Sequence, residues 1–87
     1  MSQNSEGEAL IVDYEVDAKG LKCPMPVIKL QQQVRKSPAK SIISIACTDM
    51  GAEKDIASWT KVNKHTWLGC ENKDYGCDIT IQLKENH

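Results

Sequence analysis

Phenylalanine is absent from this 87-residue chain, and only four aromatic side chains occur: Tyr14, Trp59, Trp67 and Tyr75. A core of stacked rings is excluded. The interior must come from Ile, Val, Leu and Ala, and β-branched aliphatic residues favour a sheet. Also missing is any apolar run near the roughly 18 residues of a membrane span. The opening MSQNSEGEAL lacks the charged-then-apolar layout of a secretory signal, so the chain is expected to be soluble and cytoplasmic. Paired cysteine spacing is absent too, because Cys23, Cys47, Cys70 and Cys77 are separated by 24, 23 and 7 positions. Structural zinc wants pairs such as C-x2-C, and a disulfide framework wants an oxidising compartment. Free thiols and no metal are therefore expected.

What is present bounds the architecture. A chain of 9.7 kDa holds one domain with a thin core, two layers deep. Residues 1 to 8 are polar and aperiodic and read as a flexible N-terminal tail, which leaves 9–87 as the single domain. The net charge of -1 conceals an asymmetry. From Ala18 to Thr48 there are six basic residues (Lys19, Lys22, Lys29, Arg35, Lys36 and Lys40) and no acidic one, while the remainder carries 5 basic and 12 acidic residues.

Leu10, Val12, Tyr14 and Val16 alternate with Ile11, Asp13 and Glu15, the period-2 pattern of a half-buried strand. Lys19 to Lys22 reads as a loop. Val27, Leu30 and Val34 then mark one helical face, with Pro24 and Pro26 tolerated in the first turn and Ser37-Pro38 as the stop. Ser41 to Cys47 is nearly continuous in apolar residues, as expected of a parallel strand buried on both faces. Thr48-Asp49 predicts an N-cap for a second helix over 51–62, with Ala52, Ile56 and Trp59 on its inner face. A weaker strand over about 66–71 and a hairpin loop over 72–76 lead into a last strand, where Cys77, Ile79, Ile81 and Leu83 alternate with polar residues. The order β-α-β-α-β-β with right-handed crossovers puts both helices on one face of the sheet.

Cys23 is the candidate reactive residue. It sits between a strand exit and a helix start, where unpaired N–H groups and the helix dipole favour an anion and lower a thiol's pKa. Lys19 and Lys22 would act in the same direction, and Pro24 and Pro26 would fix the backbone. The bland alternative is a small buried hydrophobe, as most free cysteines are.

The stretch Val16-Asp17-Ala18-Lys19-Gly20-Leu21-Lys22-Cys23-Pro24-Met25-Pro26 resembles the TusA/SirA family of small sulfur carriers, whose hallmark is Cys-Pro-x-Pro after a D-x-x-G-L-x lead. A second block, Thr48 to Ile56, is similar to that family's D-P-G-A-x-x-D-I helix start, although Met50 and Ala57 stand where prolines are common. Thr60 occupies a position that is cysteine in some members. The resemblance implies an α+β fold, a two-layer α/β sandwich with a four-stranded mixed sheet covered by two helices on one face. It also implies a persulfide on Cys23, accepted from a cysteine desulfurase or sulfurtransferase and relayed to an acceptor protein, for tRNA thiolation or other sulfur metabolism. On that reading Gly20, Lys22, Pro24 and Pro26 support the site, and no cofactor is needed. Lys19, Asp49 and Lys54 are candidate partner or anion contacts.

Cys47 ends the second strand near Cys23, where it could resolve a persulfide or simply be buried. Cys77 is expected in the core and Cys70 on the open face. Asp49 is most simply the N-cap, Lys54 and Asp55 lie on the exposed side of the second helix, and His65 is a cap or surface residue. Two other function classes stay open: a thiosulfate-handling or redox variant using Cys23, and a noncatalytic RNA-binding module. The latter is disfavoured because the basic segment contains no aromatic residue for base stacking.

Overall fold

In the computed structural model, residues 11–85 are described, and the expected tail at 1–8 and Leu10 lie outside them. The elements are β1 (Tyr14–Ala18), α1 (Met25–Arg35), β2 (Ile42–Cys47), α2 (Ala52–Val62), β3 (Thr66–Lys73) and β4 (Gly76–Gln82). The four strands form one mixed sheet in the order β1-β2-β4-β3. β1 and β2 are parallel, and β4 is antiparallel to both β2 and β3. The fold is α+β, with two helices packed on a four-stranded sheet.

Register explains the core. Val16, Ile45, Ile79 and Cys70 form one row across the sheet, and Ala18, Cys47 and Cys77 belong to the next. These rows face the helices, whose buried residues are Pro26, Leu30 and Val34 from α1 and Ala52, Ile56 and Thr60 from α2. Ile43, Ile45, Ile56, Ile79, Ile81 and Leu30 are completely buried. Each such side chain contributes roughly 1.5–3 kcal/mol by leaving water. Thr60 fits because its hydroxyl donates to the Ile56 carbonyl at 2.7 Å.

Three expectations are corrected. β2 is not buried on both faces: Ile43, Ile45 and Cys47 are buried, whereas Ile42, Ser44 and Ala46 are only half-buried. Helices cover one side of the sheet, so a continuous apolar run does not need two. Cys70 faces the helices rather than the open face, because its register partner is Ile79, and it packs against the core. The irregularity between Trp67 and Gly69 is what shifts the alternation in β3 and hid this from the pattern. β3 also runs through Lys73, leaving Asp74 and Tyr75 as a two-residue turn.

The sheet's open face carries two polar rows, Glu15, Ser44 and Thr80, and then Asp17, Ala46, Asp78 and Glu71. At the end of β2 the β3–β4 turn comes very close. Gly76 has φ +151°, and a Cβ there would lie 2.2 Å from the Cys47 carbonyl oxygen. We expect Gly76→Ala to destabilise the fold by about 2 kcal/mol or more through backbone strain and this clash. Gly20→Ala, at φ +83° in open space, should cost only about 1 kcal/mol. Urea midpoints test the ranking, and equal shifts would show that the Gly76 approach relaxes freely.

Candidate functional site

Parallel strands end at the same edge of a sheet, so the β1–α1 and β2–α2 connections lie side by side. Each residue of the D-x-x-G-L lead has a physical task there. The Asp17 carboxylate accepts the Lys19 N–H at 3.0 Å, which closes a turn, and Gly20 supplies the positive φ. Leu21 N–H donates to the Ala18 carbonyl at 3.1 Å, and its side chain packs against the core. Gly20 N–H donates to Thr48 Oγ1 at 2.9 Å, which clamps one connection to the other. The Lys29 ammonium donates to the Asp17 carbonyl.

Cys23 follows this turn and is exposed. The Cys23–Pro24 peptide is cis. Pro24 is the N-cap of α1 and Pro26 lies in its first turn, as the sequence predicts. The Cys23 and Met25 donors at the helix start are engaged away from the sulfur, however. Cys23 N–H donates to Asp49 Oδ2 at 2.9 Å, Met25 N–H donates to the Lys22 carbonyl at 2.8 Å, and prolines 24 and 26 have no N–H. The Cys23 thiol donates to Asp55 Oδ2.

This arrangement reverses the expected electrostatics. The thiol is pushed above its ordinary pKa, first by its hydrogen bond to Asp55, then by desolvation and by the negative charges of Asp55 and Asp49. Lys19 does not offset them at the sulfur, since its ammonium lies over the Tyr75 ring, 5.0 Å from the centroid. It helps line a cleft of about 380 Å³ on the open face with Glu15, Asp17, Ser44, Tyr75 and Asp78. Tyr75 in turn donates to Asp78, and that bond pushes the phenol up to about 12. Lys22 and Lys54 are exposed.

Asp49 is corrected from N-cap to site residue. The cap position of α2 is Gly51, without a side-chain hydrogen bond, and Asp49 reaches across to Cys23 instead. Asp55 is likewise half-buried against Cys23 rather than on an outer face. It was missed because helical periodicity reports only the apolar stripe, and Asp55 sits at its border beside Ile56. The signal was the second family-like block, which places two acidic residues around a helix start. His65, read as a cap or surface residue, accepts the Lys84 N–H at 3.1 Å on Nδ1 and packs its ring 5.3 Å from that of Trp59.

The other thiols are set apart from Cys23. Cys47 is fully buried, and burial pushes it up to about 11. Cys70 is pushed up to about 12 by desolvation and by its hydrogen bond with Cys77, and Cys77 is raised mainly by burial. No group of three or more His, Cys, Asp or Glu among the described residues is arranged to hold a metal ion. No helix among them is long and apolar enough to cross a membrane.

The fold is thus a small α+β domain that presents one exposed cysteine at the paired strand ends. The chain belongs to the TusA family: the family profile described as sulfurtransferase TusA matches residues 14–83. The protein YrkF of Bacillus subtilis (strain 168) is 39% identical over 56 residues, 64% of this chain and 30% of that protein. The sulfur carrier protein TusA of Pseudomonas syringae pv. syringae (strain B728a) is 47% identical over 49 residues, 56% of this chain and 58% of that one. The chain thus spans less than two thirds of either relative. Among solved structures, the SirA-like protein of Desulfitobacterium hafniense superposes with a TM-score of 0.68 at 17% identity, covering 80% of this chain and 95% of that chain. That likeness speaks for the fold.

The raised thiols carry a stability prediction. Their folded pKa values exceed the roughly 8.5 of an unfolded cysteine, so over that window the unfolded state releases protons first and stability falls as pH rises. Urea midpoints should decline from about pH 8.5 upward through the folded value of about 11 for Cys47. The decline should be shallower in Cys47→Ala, and an unchanged slope would show that this thiol does not contribute.

Proposed function

We propose that this protein carries sulfur as a persulfide on Cys23. It accepts the sulfur from a cysteine desulfurase or sulfurtransferase and relays it to an acceptor protein. The carrying observation is the placement of Cys23, an exposed thiol whose backbone N–H and S–H are both held by the β2–α2 connection and helix. Membership of the TusA family supports the same reading.

The exchange balances without a cofactor. The Cys23 sulfur attacks the terminal sulfur of a donor persulfide, R–S–SH, a bond forms between those two sulfurs, and the donor's S–S bond breaks. Cys23 becomes Cys23–S–SH, and the departing donor thiolate takes up the proton that Cys23 loses. Repeating the step with an acceptor thiol regenerates Cys23. Gly20 and Thr48 fix the turn before Cys23, while Lys22, Lys54 and the exposed Met25 and Met50 form the rim a partner meets. Cys47, fully buried, serves the core rather than resolving the persulfide on this reading.

An RNA-binding role finds little support, since the open sheet face carries Glu15, Asp17, Asp78 and Glu71, and phosphate backbones are drawn to cations. If the relayed sulfur is destined for tRNA, the acceptor protein must therefore supply the RNA contacts.

Incubation with a cysteine desulfurase and cysteine should add the mass of one sulfur atom to the peptide containing Cys23, reversibly by reductant. Cys23→Ser should abolish the gain, while Cys70→Ser should keep it. Equal sulfur uptake by Cys23→Ser would assign the carrier role elsewhere.

A further inference from the structure

Two carboxylates bracket Cys23, Asp55 accepting from its S–H and Asp49 from its backbone N–H, and among the described residues neither takes part in a salt bridge. Among the described residues the salt bridges are Lys40–Glu85 at 3.0 Å and Lys73–Glu71 at 3.3 Å. Asp49 and Asp55 are engaged by the Cys23 N–H and S–H respectively. Two of the neighbouring cations have other partners, Lys19 over Tyr75 and Lys29 on the Asp17 carbonyl, and Lys22 and Lys54 are exposed.

Building on the sulfur-carrier reading, we propose that the Cys23–Asp55 contact is a protonation latch, opened when a docking partner places a basic side chain against Asp55. With no salt bridge on Asp55 among the described residues, forming the thiolate would put a negative charge in contact with its carboxylate, so the proton stays on sulfur. A guanidinium or ammonium group on Asp55 removes both the repulsion and the competing acceptor. Cys23 then attacks the waiting donor persulfide, the new S–S bond forms as the donor's breaks, and the Cys23 proton ends on the departing donor thiolate. A bidentate arginine suits a carboxylate best. The partner surface is therefore one with a basic residue beside its own sulfur-bearing cysteine.

Loading disables the latch. In Cys23–S–SH the Sγ atom has no proton to donate to Asp55, and the transferable sulfur lies one S–S bond farther out, roughly 2 Å. The empty carrier is accordingly unreactive in free solution, and the loaded one is ready for an acceptor. Asp55 is a positioning residue here, because it acts through the Cys23 proton and touches no cargo.

The test reads thiol protonation without any sulfur donor, so it fails or succeeds separately from persulfide transfer. The rate at which iodoacetamide alkylates the Cys23 peptide is followed against pH at low salt, with hexa-arginine or hexa-glutamate peptide as the probe. Hexa-arginine should lower the midpoint of the wild-type profile by about one pH unit, a tenfold gain in thiolate at neutral pH. Hexa-glutamate should not. Asp55→Asn alone should lower the midpoint comparably and should not respond further to hexa-arginine. Asp55→Glu should keep the raised midpoint and the response, which also controls for folding, and Asp49→Asn should shift the midpoint less. An unchanged midpoint in Asp55→Asn, or an equal response of wild type and Asp55→Asn to hexa-arginine, overturns the proposal.

Discussion

Everything at the Cys23 end of this molecule depends on the parallel pairing of β1 with β2. Its last pair is Ala18 with Cys47, and immediately beyond it both chains leave the sheet toward their helices. Three contacts then join the two connections: Gly20 to Thr48, Cys23 to Asp49 and Cys23 to Asp55. They link residues 28, 26 and 32 positions apart in the chain. An antiparallel pairing would send the two connections to opposite ends of the sheet and leave Cys23 without either carboxylate. The aliphatic rows that hold the strands in register are thus the remote support of a surface thiol.

The Cys23 end also illustrates how a helix start can fail to activate a cysteine. The dipole argument assumes that unpaired N–H groups face the sulfur. Here two of the relevant positions are prolines, and the Cys23 and Met25 N–H groups are spent on Asp49 and the Lys22 carbonyl. The contact the sulfur makes is then with the Asp55 carboxylate, which raises its pKa. The basic segment is real in the sequence, but its ammonium groups are long-stemmed and find other partners, as Lys19 does on Tyr75 and Lys29 on a carbonyl.

The element order and the single covered face were legible in the sequence because they rest on periodicity, and the exposure of Cys23 followed from its place between a strand exit and a helix start. Cys77 in the core followed from clean alternation in β4. Cys70 was misplaced because the irregularity between Trp67 and Gly69 changes the parity of β3, which no alternation rule can see. Asp49 and Asp55 were legible as residues of a motif but not in their roles. Asp49 stood where a cap belongs, and only the register of β1 against β2 brings its carboxylate to Cys23. Contacts across some thirty positions are tertiary facts, and a local reading assigns such side chains local partners.

The crowding of both connections at one sheet edge has a kinetic consequence under the proposed sulfur relay. Cys23 is approached over a single rim formed by the start of α1, the β2–α2 turn and the first turn of α2. In such a relay a giver and a taker of sulfur would compete for it, so each visit would end before the next begins. Turnover of that relay would then be governed by how quickly complexes come apart, and a partner that lingered would stall the traffic it was meant to feed.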